Sequence, residues 1–138
     1  MNRILLVLVI VSSVLCGCDN STSNAPVRSA GQASTGSVIQ WTEAAQHIGQ
    51  SVTIEGPIVS SKYASSSKGQ PTFLNVGKAY PDPTRFTILI WGSSRSNFPS
   101  APESMYQGKT VRVTGTVQEY KGSTEIVVSS PVAIQVIR

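Results

Sequence analysis

From residue 51 onward the chain alternates. Val52, Ile54 and Ile58 interleave with Thr53 and Glu55 over 51–59. Phe86, Ile88 and Ile90 interleave with Arg85, Thr87, Leu89 and Trp91 over 85–91, and Val111, Val113 and Val117 with Arg112, Thr114 and Thr116 over 109–117. A period of two sends successive side chains to opposite faces of a half-buried strand. The short runs 71–76 and 125–128 complete five predicted strands. The last follows a tight turn at Lys121-Gly122, and a further short run at 133–137 closes the chain. Ahead of the strands, 41–49 reads as helix, a turn or two with Thr42 as N-cap and Gly49 as stop. Pro99 and Pro102 restrict 93–107 to a loop with a short helix over 102–106.

Two segments share one spacing. Gly49, Val52, Ile54, Gly56 and Ile58 recur as Gly108, Val111, Val113, Gly115 and Val117. In each, a glycine turn leads into a strand that a second glycine interrupts midway. Mid-strand glycine marks a bulge or sharp bend. Bent first and fourth strands would let five short strands curl into a barrel. The segments between them do not repeat, so this is not a duplicated domain.

The start of the chain has a different character. Met1-Asn2-Arg3 is a short positive segment, and a mostly apolar run follows from Ile4 to Cys16. That length suits the apolar core of a signal peptide but falls short of the roughly 18 residues a membrane-crossing helix needs. Leu15-Cys16-Gly17-Cys18 then resembles the bacterial lipobox. The resemblance implies cleavage after Gly17, acylation of Cys18 and a protein tethered to the cell membrane outside the cytoplasm. The alternatives are an uncleaved hydrophobic anchor or an ordinary secretory signal. Asp19, directly after the cysteine, is similar to the enterobacterial signal that retains a lipoprotein in the inner membrane facing the periplasm; otherwise it is a polar linker residue.

The organisation expected is a signal peptide at 1–17, a lipidated cysteine and linker at 18–37, and one domain at 38–138. The linker is rich in Ser, Thr, Asn, Gly and Ala, with Val27 its one larger aliphatic, too little apolar surface to offset ordering entropy. Removing 17 residues from 138 leaves 121, enough for one small domain and a tail. Cys16 leaves with the leader and Cys18 takes the lipid. The mature domain then has no thiol for a disulfide, a nucleophile or a Cys-based metal site.

Five strands, with bends in the first and fourth and an irregular segment between the third and fourth, resemble the OB-fold, a five-stranded Greek-key barrel. The likeness covers about 46–137. It includes Phe73-Leu74-Asn75-Val76-Gly77, the run from Gly108 to Gly115, and Tyr120-Lys121-Gly122 with Glu125-Ile126, which look like motifs of OB domains that hold tRNA anticodons or single-stranded DNA. A small SH3-like barrel or sandwich is the rival. The expected class is therefore all-β: a five-stranded OB-fold-like barrel with a short N-terminal helix.

Catalytic chemistry finds little support. His47 is the lone histidine, and Glu43 four residues before it makes no metal site without further ligands. Asp82 and Glu55 form no recognisable pair, and no base accompanies the serines of 60–61 and 65–67. The domain reads as a non-catalytic, monomeric binding module without cofactor or metal.

Charge and aromatic residues suggest where it binds. Eleven basic residues against seven acidic give +4, a mild excess for a nucleic-acid protein. The basic residues Lys62, Lys68, Lys78, Arg85 and Arg95 gather around the second and third strands, with Tyr63, Phe73, Tyr80 and Trp91 among them. Strand parity turns Phe73, Asn75, Arg85 and Trp91 outward, and the flanking hairpin loops would add Tyr63, Lys68, Tyr120 and Lys121. OB-folds stack bases on such a face. The alternative reading leaves Phe73 and Trp91 in the core or under the 92–107 loop, with lysines that serve solubility. Two partner classes remain open: single-stranded nucleic acid, or a protein of an envelope or secretion assembly that uses the barrel as a docking block.

Overall fold

The computed structural model describes residues 37–138. The lipobox, Cys18, Asp19 and nearly all of the linker lie outside the described residues. Those described contain seven strands: β1 Val38–Gln40, β2 Ser51–Tyr63, β3 Thr72–Val76, β4 Phe86–Ile90, β5 Thr110–Tyr120, β6 Ser123–Val127 and β7 Ile134–Val136. The five expected strands are β2 to β6. β1 was not expected, because three residues are too few to show a period.

Two strands organise the rest. β2 pairs antiparallel with β5 over residues 51–57 and with β3 from Ile58 onward. β5 pairs with β2 as far as Thr116 and with β6 from Val117 onward. β3 continues antiparallel to β4, and β4 lies parallel to β6. The pairings therefore run β2-β3-β4-β6-β5 and return to β2. β1 adds to β2 in parallel, and β7 adds to β5 antiparallel.

Each interrupting glycine stands just before its strand changes partner, as a bend requires. Packing gives a second reason. A Cβ on Gly56 would lie 2.7 Å from Cδ1 of Trp41, and one on Gly115 would lie 2.5 Å from Cγ2 of Ile126. The break in the ladder is elsewhere, at Val59 between Ile58 and Ser60. This bulge reverses parity. Before it the even residues of β2 face inward; after it Ser61 and Tyr63 do, because they pair with inward Leu74 and with Thr72.

The core is apolar and aliphatic. Ile54, Ile58, Leu74, Phe86, Ile88, Ile90, Val111, Val113, Val117 and Ile126 are buried within the cycle of strands. A 3-10 helix, Trp41–His47, covers it near the end of β3. Thr42 does not cap this helix: Gln40 is the N-cap, and its backbone N–H donates to the Glu43 carboxylate at 3.0 Å. Trp41 lies against Gly56 and Gly77, and Gly77 has a φ of +74°. Helix α1, Pro102–Tyr106, is the short helix expected, and it packs on β2 and β3. Tyr106 meets Phe98 edge to face, with ring centroids 6.4 Å apart. No helix among the described residues is long and apolar enough to cross a membrane.

Candidate functional site

Register arranges the outward side of β2, β3, β4, β6 and β5 in rows. Paired residues share a face, so Ser60, Asn75, Thr87, Glu125 and Gln118 form one row across five strands. Beside it run Lys62, Phe73, Leu89 and Val127. The same parity along β4 carries Arg85 and Trp91 to that side, about 20 Å apart at the strand rise. Phe73 and Asn75 thus share one face, and Arg85 and Trp91 flank β4 at its two ends.

Their exposure is uneven. Trp91 is 41% exposed, and Phe73 is half-buried. Asn75 is not open to solvent as expected but 5% exposed, and Leu89 beside Phe73 is buried too. The cause is position: β3 and β4 are flanked on both sides, and neighbours shield short side chains. Asn75 Nδ2 donates to Ser60 Oγ at 3.0 Å, and Thr87 Oγ1 donates to Asn75 Oδ1 at 3.3 Å. Gln118 Nε2 donates to Glu125 Oε1 at 2.8 Å. The row is a polar ladder. Its outer members, Glu125 and Gln118, were missed because nothing along the chain reveals that β6 would lie parallel to β4.

Trp91 stands at one end. Its ring lies on Gly69, whose φ of +78° and missing Cβ allow the approach. Gly92 N–H donates to Gly69 O at 2.9 Å and ties the β2–β3 loop to the end of β4. Between the serine-rich loop 65–70 and residues 91–93 is an open concavity of about 570 Å³, with Lys68 on its rim.

At the other end Arg85 lies 5.2 Å from the centroid of the Tyr80 ring. Its Nη1 donates to Asp82 O at 2.7 Å, and its Nε is buried without a hydrogen-bond partner among the described residues. The Asp82 carboxylate accepts from the Thr84 backbone and hydroxyl and holds that loop; the Thr84 hydroxyl first, then the backbone, lower the Asp82 pKa. Tyr120 and Lys121 belong to this end as well. Lys121, with φ +50°, and Gly122, with φ +77°, form the predicted two-residue turn. Tyr120 pairs with Ser123 on the outward side and is 58% exposed.

Tyr63 is a correction. The Val59 bulge turns it to the opposite side from Phe73, and its ring lies 3.7 Å from the Arg95 guanidinium. Arg95 is engaged in turn. It donates twice to Glu103, at 2.7 and 3.0 Å, and also to Thr72 Oγ1. These hydrogen bonds raise the Arg95 pKa and lower that of Glu103. Lys78 pairs with Asp82 at 3.3 Å, and Arg112 with Glu55 at 2.8 Å. Among the described residues Lys62, Lys68, Arg85 and Lys121 make no ion pair. Lys109 and Arg138 are unpaired as well but lie together at the start of β5, so four of the six unpaired cations among the described residues border the outward face.

Other chemistry is sparse. His47 Nδ1 lies 3.0 Å from Gln50 Oε1 at a helix end. Among the described residues no three His, Cys, Asp or Glu side chains gather as a metal site would require.

No family model matches the chain, and no curated protein matches it. Several solved structures are similar in part. An aspartyl-tRNA synthetase from Entamoeba histolytica is 17% identical, with 98% of this chain and 28% of that chain covered and a TM-score of 0.48. The hypothetical protein ygiW from E. coli is 23% identical over 74% of this chain and 91% of that one, with a TM-score of 0.42. The second OB-fold domain of replication protein A from Methanococcus maripaludis is 19% identical over 72% and 96%, with a TM-score of 0.41. This chain spans between 23% and 28% of the length of the tRNA synthetases it resembles.

Proposed function

We propose that this chain is a lipid-anchored, non-catalytic OB-fold module that binds single-stranded nucleic acid on the outward face of β3 and β4. The pairing order supports the fold reading: β2, β3, β4, β6 and β5 in a returning cycle, with β4 and β6 its parallel pair. Leu15-Cys16-Gly17-Cys18 supports an anchor at Cys18 outside the cytoplasm.

One observation carries the ligand reading. Aromatic rings and unpaired cations lie on and around one sheet face: Phe73 and Lys62 on it, Trp91 and Lys68 at one end, and Arg85, Tyr80 and Tyr120 at the other. Rings offer stacking surfaces to any base, while cations follow the phosphates. An exposed tryptophan beside a lysine also suits a flat anionic ligand better than a bare surface.

The test is an oligonucleotide titration read by tryptophan fluorescence. The chain has two tryptophans, and Trp41 is packed against glycines away from this face, so Trp91→Phe provides the blank. Quenching that weakens with added salt is expected. A protein with no response to any oligonucleotide at low salt has another ligand, and capture of an envelope protein at high salt would make it a docking block instead.

A further inference from the structure

The polar row contains a group that a phosphate-binding face has no use for. Glu125 is 6% exposed, yet it lies on the outward side between β4 and β5. Its Oε1 accepts from Gln118, while Oε2 has no hydrogen bond among the described residues. Oε2 is not sealed from solvent, because the buried unpartnered side-chain atoms among the described residues are Arg85 Nε and the Tyr106 hydroxyl; it is a free acceptor at the surface of the row. The unpaired cations that border this face lie to either side of the row, at Lys62 and Lys68 and at Arg85 and Lys121, not in it. Phosphates are therefore drawn to the flanks and repelled from the centre, which leaves base edges over the row.

We propose that Glu125, steadied by Gln118, determines base specificity: this face prefers bases with an amino donor, cytosine before thymine. The proposal rests on the nucleic-acid reading above. The two pyrimidines stack alike but differ at one edge position. Cytosine presents N4–H₂, a donor that carboxylates accept, where thymine presents the O4 acceptor. Two acceptors facing each other in a shielded row repel. Asn75 and Thr87 continue the row but are buried and bonded to Ser60 and to each other, so Glu125 is the acceptor left for a base edge.

The experiment compares oligo-dC and oligo-dT of about twelve nucleotides, within the span such a face covers, titrated into the full chain at pH 7.5 and low salt. Oligo-dC should bind about tenfold more tightly. Glu125→Gln adds a donor opposite thymine O4 and should reduce the preference to under about twofold. Because a change at a buried site can unfold the chain, the ligand is varied as well. An oligomer of N4,N4-dimethyldeoxycytidine has no amino hydrogens and should bind wild-type protein as weakly as oligo-dT. Equal affinity of wild-type protein for oligo-dC and oligo-dT overturns the inference and leaves nucleic-acid binding standing. A full preference retained by Glu125→Gln, or by the dimethyl oligomer, overturns it too. Failure of both natural oligomers to bind overturns the nucleic-acid reading along with it.

Discussion

Trp91 rests on a residue with no side chain. Gly69 lies under its ring with φ +78°, and a Cβ there would lie 2.8 Å from Cζ3 of Trp91. Gly69→Ala should therefore both strain the loop and lift the ring, at a stability cost of about 1 kcal/mol, and weaken oligonucleotide binding. Trp91→Ala should lower affinity roughly five- to a hundredfold at unchanged stability, given about 1–3 kcal/mol per stacked base. Unaltered affinity in both variants would remove Trp91 from the site. Tyr106 presents the opposite case. Its ring is 1% exposed and its hydroxyl has no partner among the described residues, and burial raises its pKa. Deleting an orphaned hydroxyl is cheap, so Tyr106→Phe should leave the stability unchanged or raise it by up to about 1 kcal/mol. A clear drop on thermal denaturation would mean that the hydroxyl has a partner after all.

Among the elements, the loop from 92 to 107 is held by hydrogen bonds from Ser61, Asn97 and Gln107 and by one ion pair. Arg95 reaches across to Glu103, Thr72 and the Tyr63 ring, so it joins the end of β4 to α1 and to the β2–β3 hairpin. Glu103's hydrogen bonds from Arg95 lower its pKa below the ordinary 4.5. A carboxyl depressed in the folded state stabilises the protein above its unfolded value and loses that contribution as pH falls through the folded one. Wild-type protein should thus exceed Glu103→Gln in stability at neutral pH, and the gap should close as acid is added below about pH 4.5. A gap that persists unchanged into acid would show that the pair does not hold the loop. Much of this level was legible in the chain. Alternation at 85–91 and 109–117 identified β4 and β5, and Pro102 marked the start of α1. The Val59 bulge was not. One extra residue in β2 leaves no trace in composition or period, yet it moves Tyr63 from the predicted face to the inner one. Buried Asn75 and the Glu125 row were hidden for a related reason: register between strands distant in sequence is a property of the assembled sheet, not of either strand.

At the scale of the whole molecule, β2 and β5 are the two strands that belong to both parts of the sheet, and each makes its turn beside a glycine. The two glycines answer the same problem with different neighbours. Gly56 admits the Trp41 ring and the Val76 side chain; Gly115 admits Ile126. A β-branched side chain at either would collide with packed groups where the strand changes partner. Shifting Trp41 would also disturb its seat on Gly77 near the end of β3. Gly56→Val and Gly115→Val should each cost more than about 1 kcal/mol in chemical denaturation, the scale of overpacking in a filled core. Gly56→Val should be the worse of the two, because it meets an aromatic ring and a buried valine where Gly115→Val meets a single isoleucine side chain. Gly108 sharpens the comparison. It holds φ +74° with no atom within 4 Å of a built Cβ, so Gly108→Ala bears backbone strain without a clash. Gly56 and Gly115 have no positive φ, so their valine variants report packing, whereas Gly108→Ala reports backbone strain. If both valines proved neutral, the close approach of β2 and β5 to their neighbours would not be what closes the cycle of strands.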